Sequence, residues 1–519
     1  MKTHPTKVIF IWHMHQPFYK AVDKDYYILP WVRLHAVKDY YGMAKIVDKF
    51  NVKVTFNFSG VLLKQLLDYT DKAKDYYSIL TLKNPKYLTK EEKDFIIDRF
   101  FSVNFERFIR PNKRYLQLYN KKLSKNPKFT KEDINDLTSL FNLCWFHPYT
   151  FIEDKNLMDL FLKKKNYTQE DKEYIINKQY KIIASIFPLY KKLLKDKKIE
   201  ISVSPYYHPI MPLVFDTDIL NEFHSTNKPS LRFSYPEDCI WHLEKSKEIF
   251  KDIFGYEPVG SWPSEGSVSE DIIYIYKDRG FNWIATDEGI LFRSLTTEYV
   301  SYDMIKNQRH ILSQVYDFGG LNIFFRDRNL SDMISFIYQG WDDFRLASDD
   351  LIMHLERSHS YLKDIFKERA IVIIMDGENA WEYYKNNGVD FLERIYDKLE
   401  KSNILSTTTP QEFLKNTRAK RLQRVLPGSW INSNFDIWIG NKKNNLYWCI
   451  LRKIKDLCKK LADREKIDTI KKYIYILEGS DWFWWNTFED ITGEFRKIFY
   501  SYIVKIYKIL DKKPPRLDV

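Results

Sequence analysis

Two acidic residues, Glu265 and Asp376, each follow an apolar run that reads as a β-strand. Glu265 comes after Pro258-Val-Gly-Ser-Trp262-Pro-Ser, and Asp376 after Ile371-Val-Ile-Ile-Met375. Carboxyls at strand ends beside Trp and Gly suit protonation of, and attack on, a sugar bond. An Asp leaving a buried strand is costly unless it is paired or used. Asp376 therefore reads as functional ahead of its plainer role as cap of the following helix. Glu265 taken alone reads better as a surface residue opening a helix, where the dipole favours acids.

Three further clusters carry possible chemistry. His13-Met-His15-Gln-Pro17 follows the first predicted strand, and residues two apart on an extended chain face the same way. The two imidazoles could bind sugar hydroxyls, ligate a metal or be structural. No third ligand stands at a definable spacing, so substrate binding is favoured over metal. Ser204-Pro-Tyr-Tyr-His208-Pro is a loop stiffened by two prolines, which alone is no more than a rigid turn. Glu478-Gly-Ser-Asp481-Trp482-Phe-Trp484-Trp485 places three Trp within four residues. Some are expected to wall a sugar site, and core packing remains open for at least one.

Strands are predicted at Val8–Trp12, Val52–Phe58, Ile199–Ser204, Pro258–Trp262, Phe281–Asp287, Leu321–Asp327, Ala370–Asp376 and Ile404–Thr407. Helices separate several of them, at Asp238–Phe254, Val268–Arg279, Leu330–Tyr338 and Val389–Lys401. The alternation predicts a parallel α/β barrel, closed or nearly so, with its site at the strand C-terminal ends. An open doubly wound sheet is the alternative. Residues 61–195 read as a helical insertion that includes Glu91–Phe101 and Gln169–Leu194, the latter kinked or broken at Pro188. Beyond a boundary near Thr417, Asn441–Leu461, Lys466–Leu477 and Phe488–Leu510 predict a helical C-terminal domain with a frayed tail from Lys512.

The 519 residues are 44% hydrophobic and 17% aromatic, which fits a globular chain and excludes disorder. The net charge of +12 permits nucleic-acid contact. The lysines are interspersed with acids, however, and no nucleic-acid motif accompanies them, so a solvated surface is expected. No apolar run approaches a membrane span, and the apolar stretch before His13 is too short for a signal-peptide core. The four cysteines form no C-x-x-C pair, which suits a reducing cytosol.

Taken together, these stretches resemble glycoside hydrolase family 57, the α-amylase and amylopullulanase group. The resemblance rests on His13-Met-His-Gln-Pro17, Ser204–Pro209, Trp262-Pro-Ser-Glu265, Asp376-Gly-Glu-Asn-Ala-Trp381 and Ser480-Asp-Trp-Phe-Trp-Trp485, in that order. Gly428-Ser-Trp-Ile-Asn-Ser-Asn-Phe-Asp-Ile-Trp-Ile-Gly440 and Pro410-Gln-Glu-Phe-Leu414 add to it. It implies an incomplete TIM-like (β/α)7 barrel over residues 1–417 with a helical insertion. A helical domain over 418–519 would contribute to the cleft. It also implies retaining hydrolysis of α-1,4-glucosidic bonds, with Glu265 as nucleophile and Asp376 as acid/base. His13, His15, His208, Trp262, Trp381, Asp481 and Trp482 fall at substrate-binding positions. The implied partner is an α-glucan; no metal or cofactor is indicated by the sequence, calcium included.

A 4-α-glucanotransferase or an amylopullulanase would use the same site. Two other classes stay open. One is a metal-dependent polysaccharide deacetylase, for which the His-x-His pair speaks. The other is a non-catalytic glucan-binding protein.

Overall fold

Seven strands form the wall that carries every candidate site residue upstream of residue 400. They are β1 (Thr6–Met14), β2 (Val54–Ser59), β3 (Ile199–Ser204), β4 (Gly260–Ser261), β5 (Trp283–Asp287), β6 (Leu321–Arg326) and β7 (Ala370–Asp376). The structure, a computed structural model, describes residues 4–223, 227–488, 490 and 492–517. Two arcs of parallel strands meet. In the first, β1 lies between β2 and β7, and β3 pairs with β2; in the second, β5 lies between β4 and β6.

The arcs are joined by single bonds in place of ladders. The Ser261 hydroxyl donates to the Val203 carbonyl at 2.6 Å, and the Ser204 hydroxyl to the Trp262 carbonyl at 2.6 Å. On the other side the Asp327 amide donates to the Val372 carbonyl at 2.8 Å, and Arg326 Nε to the Ile374 carbonyl at 2.7 Å. The result is a (β/α)7 barrel, and the open doubly wound sheet is set aside.

Side chains alternate across the wall, as a pleated strand requires. Ile9 and Ile11 of β1, with Val372 and Ile374 of β7, point inward and pack with Trp262, Trp283 and Phe324. Phe413, on the short helix Pro410–Leu414, joins the same cluster. Val8, Phe10 and Trp12 point outward under the helices. Trp283 sits so close to Gly260 that a Cβ there would lie 2.0 Å from its ring. Glycine is what lets β4 pass.

Between β2 and β3 the chain is helical from Gly60 to Lys195. Four of these helices open on reciprocal capping boxes, at Asp75/Ser78, Thr89/Glu92, Thr130/Asp133 and Thr168/Asp171, which fix their starts. After the barrel come the helices Lys442–Cys458, Arg464–Leu477, Ser480–Thr487 and Glu494–Ile509.

Several expectations change. The helix Gln169–Lys195 runs unbroken through Pro188. Phe187, Tyr190 and Leu193 are buried around that proline, and their packing offsets the lost backbone bond. The strand expected at Pro258–Trp262 shrinks to two residues. Short strands at Tyr316–Phe318, antiparallel to β6, and at Lys420–Arg421 were not foreseen. The helix predicted over Phe488–Leu510 starts only at Glu494, and the Trp-rich stretch before it is itself helical. Glu489 and Ile491 of that prediction, and residues 518–519 of the predicted frayed tail, lie outside the described residues.

One buried cation ties the insertion to the barrel's first helix. Arg33 is fully buried; its Nε and Nη2 donate to Asp75 at 2.6 and 3.1 Å, and its Nη1 to Asn142 at 2.9 Å and to Gln179. Removing one partner of such a pair leaves an uncompensated buried charge. Arg33→Ala is therefore expected to lower stability by about 3–5 kcal/mol in denaturant titration. A loss under about 1 kcal/mol would contradict this reading of the junction.

Candidate active site

The C-terminal ends of the strands converge on one cleft of about 720 Å³. His13 of β1 lies directly across from Asp376 at the end of β7. Glu265 follows β4 on a turn that holds it in the left-handed region, at φ 56°, with Gly266 at φ 59°. This conformation costs a non-glycine residue on the order of 1–3 kcal/mol. Three bonds sustain it. Gly266 N donates to the Pro263 carbonyl at 2.7 Å, Trp430 N to the Glu265 carbonyl at 2.9 Å, and the Thr286 hydroxyl to the Gly266 carbonyl at 2.6 Å.

Glu265 and Asp376 both line the cleft, together with His13, His15, His208, Trp262 and Asp481. Trp430 Nε1 donates to Glu265 Oε2 at 2.9 Å, and His208 Nδ1 lies 3.8 Å from Glu265 Oε1. Asn379 donates to Asp376 at 3.4 Å. Burial raises both acids. Glu265 is pushed up to about 8, first by burial and then by the Asp376 charge, against the Trp430 hydrogen bond. Asp376 is pushed up to about 6 by burial, with His15 and Arg326 holding it back. Two such interacting carboxyls titrate as a unit, so the pair holds one proton between about 6 and 8.

The three histidines form a stack. The ring centroids of His15 and His208 are 3.9 Å apart, and those of His13 and His208 5.1 Å. Each ring is fixed by its own partner: His13 Nδ1 to Asn57 Oδ1 at 2.6 Å, His15 Nδ1 to the Ser59 hydroxyl at 2.8 Å, and His208 Nδ1 to the Ser480 hydroxyl at 3.1 Å. His15 Nε2 meets the Asp481 carboxylate at 3.1 Å. Stacked rings face one another and do not converge on a point. Among the described residues no group of three or more His, Cys, Asp or Glu is arranged to hold a metal.

Two expected sugar contacts lie elsewhere. Trp381 is packed edge-on against Trp12, behind the outer face of β1, and its indole donates to the Gly377 carbonyl at 2.9 Å. Trp482 is buried in the C-terminal helices, against Phe495 and Phe499, with its indole on the Ile476 carbonyl at 2.6 Å. Neither lines the cleft, whose aromatic lining includes Trp262, Trp430, Trp484 and Trp485. Helical phase within Ser480–Thr487 turns Trp484 and Trp485 to the cleft and Trp482 into the core.

Glu378 was also unassigned, although it lies two residues past Asp376. It accepts from the His15 amide at 2.8 Å, Gln16 Nε2 at 2.7 Å and the Tyr40 hydroxyl, and so anchors the histidine loop. Arg326 stacks over Trp430, with its guanidinium 5.2 Å from the ring. Nothing in the local sequence pointed to Tyr40 or Arg326.

Comparison with known proteins agrees with this architecture. The sequence model of glycosyl hydrolase family 57 matches residues 9–427. A curated Methanocaldococcus jannaschii protein named "Putative alpha-amylase" is 24% identical over 325 residues, 59% of this chain and 60% of that protein. The chain thus matches less than two thirds of that relative's length. Among solved structures, an α-amylase of Thermotoga maritima superposes with a TM-score of 0.63 at 13% identity, covering 98% of this chain and 93% of that one. A branching enzyme of Thermococcus kodakaraensis gives a TM-score of 0.63 at 14% identity, over 97% and 90% of the respective chains. At such identities the likeness is one of fold.

The environment of His13 has a measurable consequence. Burial, and then the nearby His15, hold its imidazole down to about 3. Its ring resonances are expected to stay constant between about pH 5 and 8 in an NMR titration, whereas a midpoint near the usual 6.5 would refute the neutral assignment.

Proposed function

The chain belongs to glycosyl hydrolase family 57, and from that premise we propose that it cleaves α-1,4-glucosidic bonds in starch, glycogen or maltodextrins with retention of configuration. The observation that carries this reading is the meeting of Glu265 and Asp376 in one aromatic-walled cleft at the strand ends. Protonated Asp376 donates to the leaving oxygen while Glu265 attacks C1. Asp376 then deprotonates the water that releases the sugar from Glu265.

In the empty cleft burial favours the proton on Glu265. A bound glucan favours its transfer to Asp376, because the glucosidic oxygen accepts from that acid and positive charge grows beside Glu265. The indole of Trp430 stabilises the ionised nucleophile by a charge-assisted hydrogen bond. The neutral imidazole of His13 and the Asp481 carboxylate offer partners for sugar hydroxyls, and Trp430, Trp484 and Trp485 offer faces for the rings.

If a sugar hydroxyl replaces water in the second step, the same residues perform transglycosylation. Longer maltooligosaccharides formed from pure maltotriose would identify a transferase. Against a deacetylase stands the geometry of the histidine stack, which presents no convergent ligand set. Four free thiols are compatible with a reducing cytosol, and no described helix is long and apolar enough to cross a membrane.

The singly protonated pair is the working form. Kcat/KM on maltooligosaccharides should therefore fall below about pH 6, as both carboxyls become protonated, and above about pH 8, as both ionise. Glu265→Gln should abolish reducing-sugar release from starch at every pH. Retained turnover in that variant would end the assignment.

A further inference from the structure

His242 lies outside the catalytic cleft, fully buried on the helix Pro236–Phe254, and is absent from every cluster discussed so far. It touches both loops that build the far side of the cleft. Its Nδ1 accepts from the Tyr207 amide at 3.4 Å, and its carbonyl accepts from the Tyr206 amide at 3.1 Å. Its Nε2 lies 3.0 Å from Glu478 Oε2. A backbone amide can only donate, so Nδ1 carries no proton, and Nε2–H donates to Glu478. Burial holds the ring neutral by lowering its pKa to about 3, in keeping with that tautomer.

Glu478 in turn belongs to a buried group that spans the barrel and the C-terminal helices. Lys455, from the helix Lys442–Cys458, pairs with Asp238, one turn before His242. Burial, and then the Glu478 charge, push Asp238 up to about 8. Lys455 also lies over the Tyr235 ring at 4.4 Å and the Tyr475 ring at 5.9 Å. Glu237 is the remaining acid whose charge reaches Glu478.

The two loops so joined are the ones that deliver His208 and Asp481. Gly479 bridges to Pro209, and Ser480 N donates to the His208 carbonyl at 3.0 Å. The Ser480 hydroxyl holds His208 Nδ1, and Asp481 holds His15. A Cβ on Gly479 would lie 2.8 Å from the Tyr207 carbonyl oxygen, so the loops touch backbone to backbone.

We infer that His242 is a positioning residue that registers the His208 loop against the Ser480–Asp481 turn, using its two ring nitrogens as one acceptor and one donor. Its effect on turnover passes through His208 and Asp481, and to that extent the inference rests on the proposed glucan reaction.

The test combines kinetics with hydrogen exchange on the full chain. His242→Leu should lower kcat/KM on maltoheptaose about tenfold or more. In the Asp481→Asn background the same change should cost about twofold at most, because both act on one unit. His242→Asn, which keeps an acceptor toward Tyr207, and His242→Gln, which keeps a donor toward Glu478, should each recover part of the loss. If His242→Leu does not fold, these two variants carry the comparison. The amides of Tyr207 and Ser480 should exchange about tenfold faster in the variant than in wild type. Additive losses, or unchanged exchange at both amides, would overturn the inference. Absence of glucan turnover in the wild type would instead sink the proposed reaction, leaving exchange to decide the joint.

Discussion

Two carboxyl groups enclosed at the rim of a parallel barrel are the constraint that shapes this molecule. An acid taken out of water resists ionisation, and two acids side by side resist it further. The same enclosure makes them useful, because it brings their proton affinities toward neutrality. The surrounding residues read as the means of keeping the pair enclosed yet chargeable. Trp430 donates to Glu265, and Arg326, stacked on Trp430, holds Asp376 back from a larger shift. Burial disfavours the charged form of His13 and His208, which border the pair without adding fixed charge.

Holding the pair in place demands rigidity, and the fold supplies it unevenly. Asp376 ends a fully paired strand beside β1 and needs little else. Glu265 leaves a strand of two residues, so its direction depends on a left-handed turn clamped by Trp430, Thr286 and Pro263. The opposite wall is built by a loop after β3 and a turn between two C-terminal helices, joined through His208 and Ser480. The helical region is thus part of the cleft, in contact with the barrel through hydrogen bonds as well as apolar packing.

Legibility in the sequence followed the same division. The strands Ile199–Ser204 and Ala370–Asp376, and the helix Val389–Lys401, could be read to the residue, because their apolar residues form a continuous or regularly spaced pattern and their last residues are polar. β4 could not, since it is two residues long, and its short ladder with β5, its glycine contact with Trp283 and its side-chain bonds to β3 leave no periodic trace. Pro188 does not break its helix, because its cost is local whereas the packing that outweighs it comes from other helices. Trp381 and Trp482 were assigned to the sugar by residue type and family position. Side-chain direction, which depends on helical phase and on the outer face of β1, placed both in the core. Tyr40, Arg326 and His242 act across large sequence separations, so nothing near them in the chain announces a role.

The account depends on Glu265 forming a bond to the sugar. Incubation with an activated fluoro-sugar that stalls at the glycosyl-enzyme stage, followed by peptide mass spectrometry, tests this directly. The account predicts one added glycosyl group, on the peptide containing Glu265 and on that carboxyl. Steady turnover of the natural glucan with no label on Glu265, or label on a different acid, would contradict it.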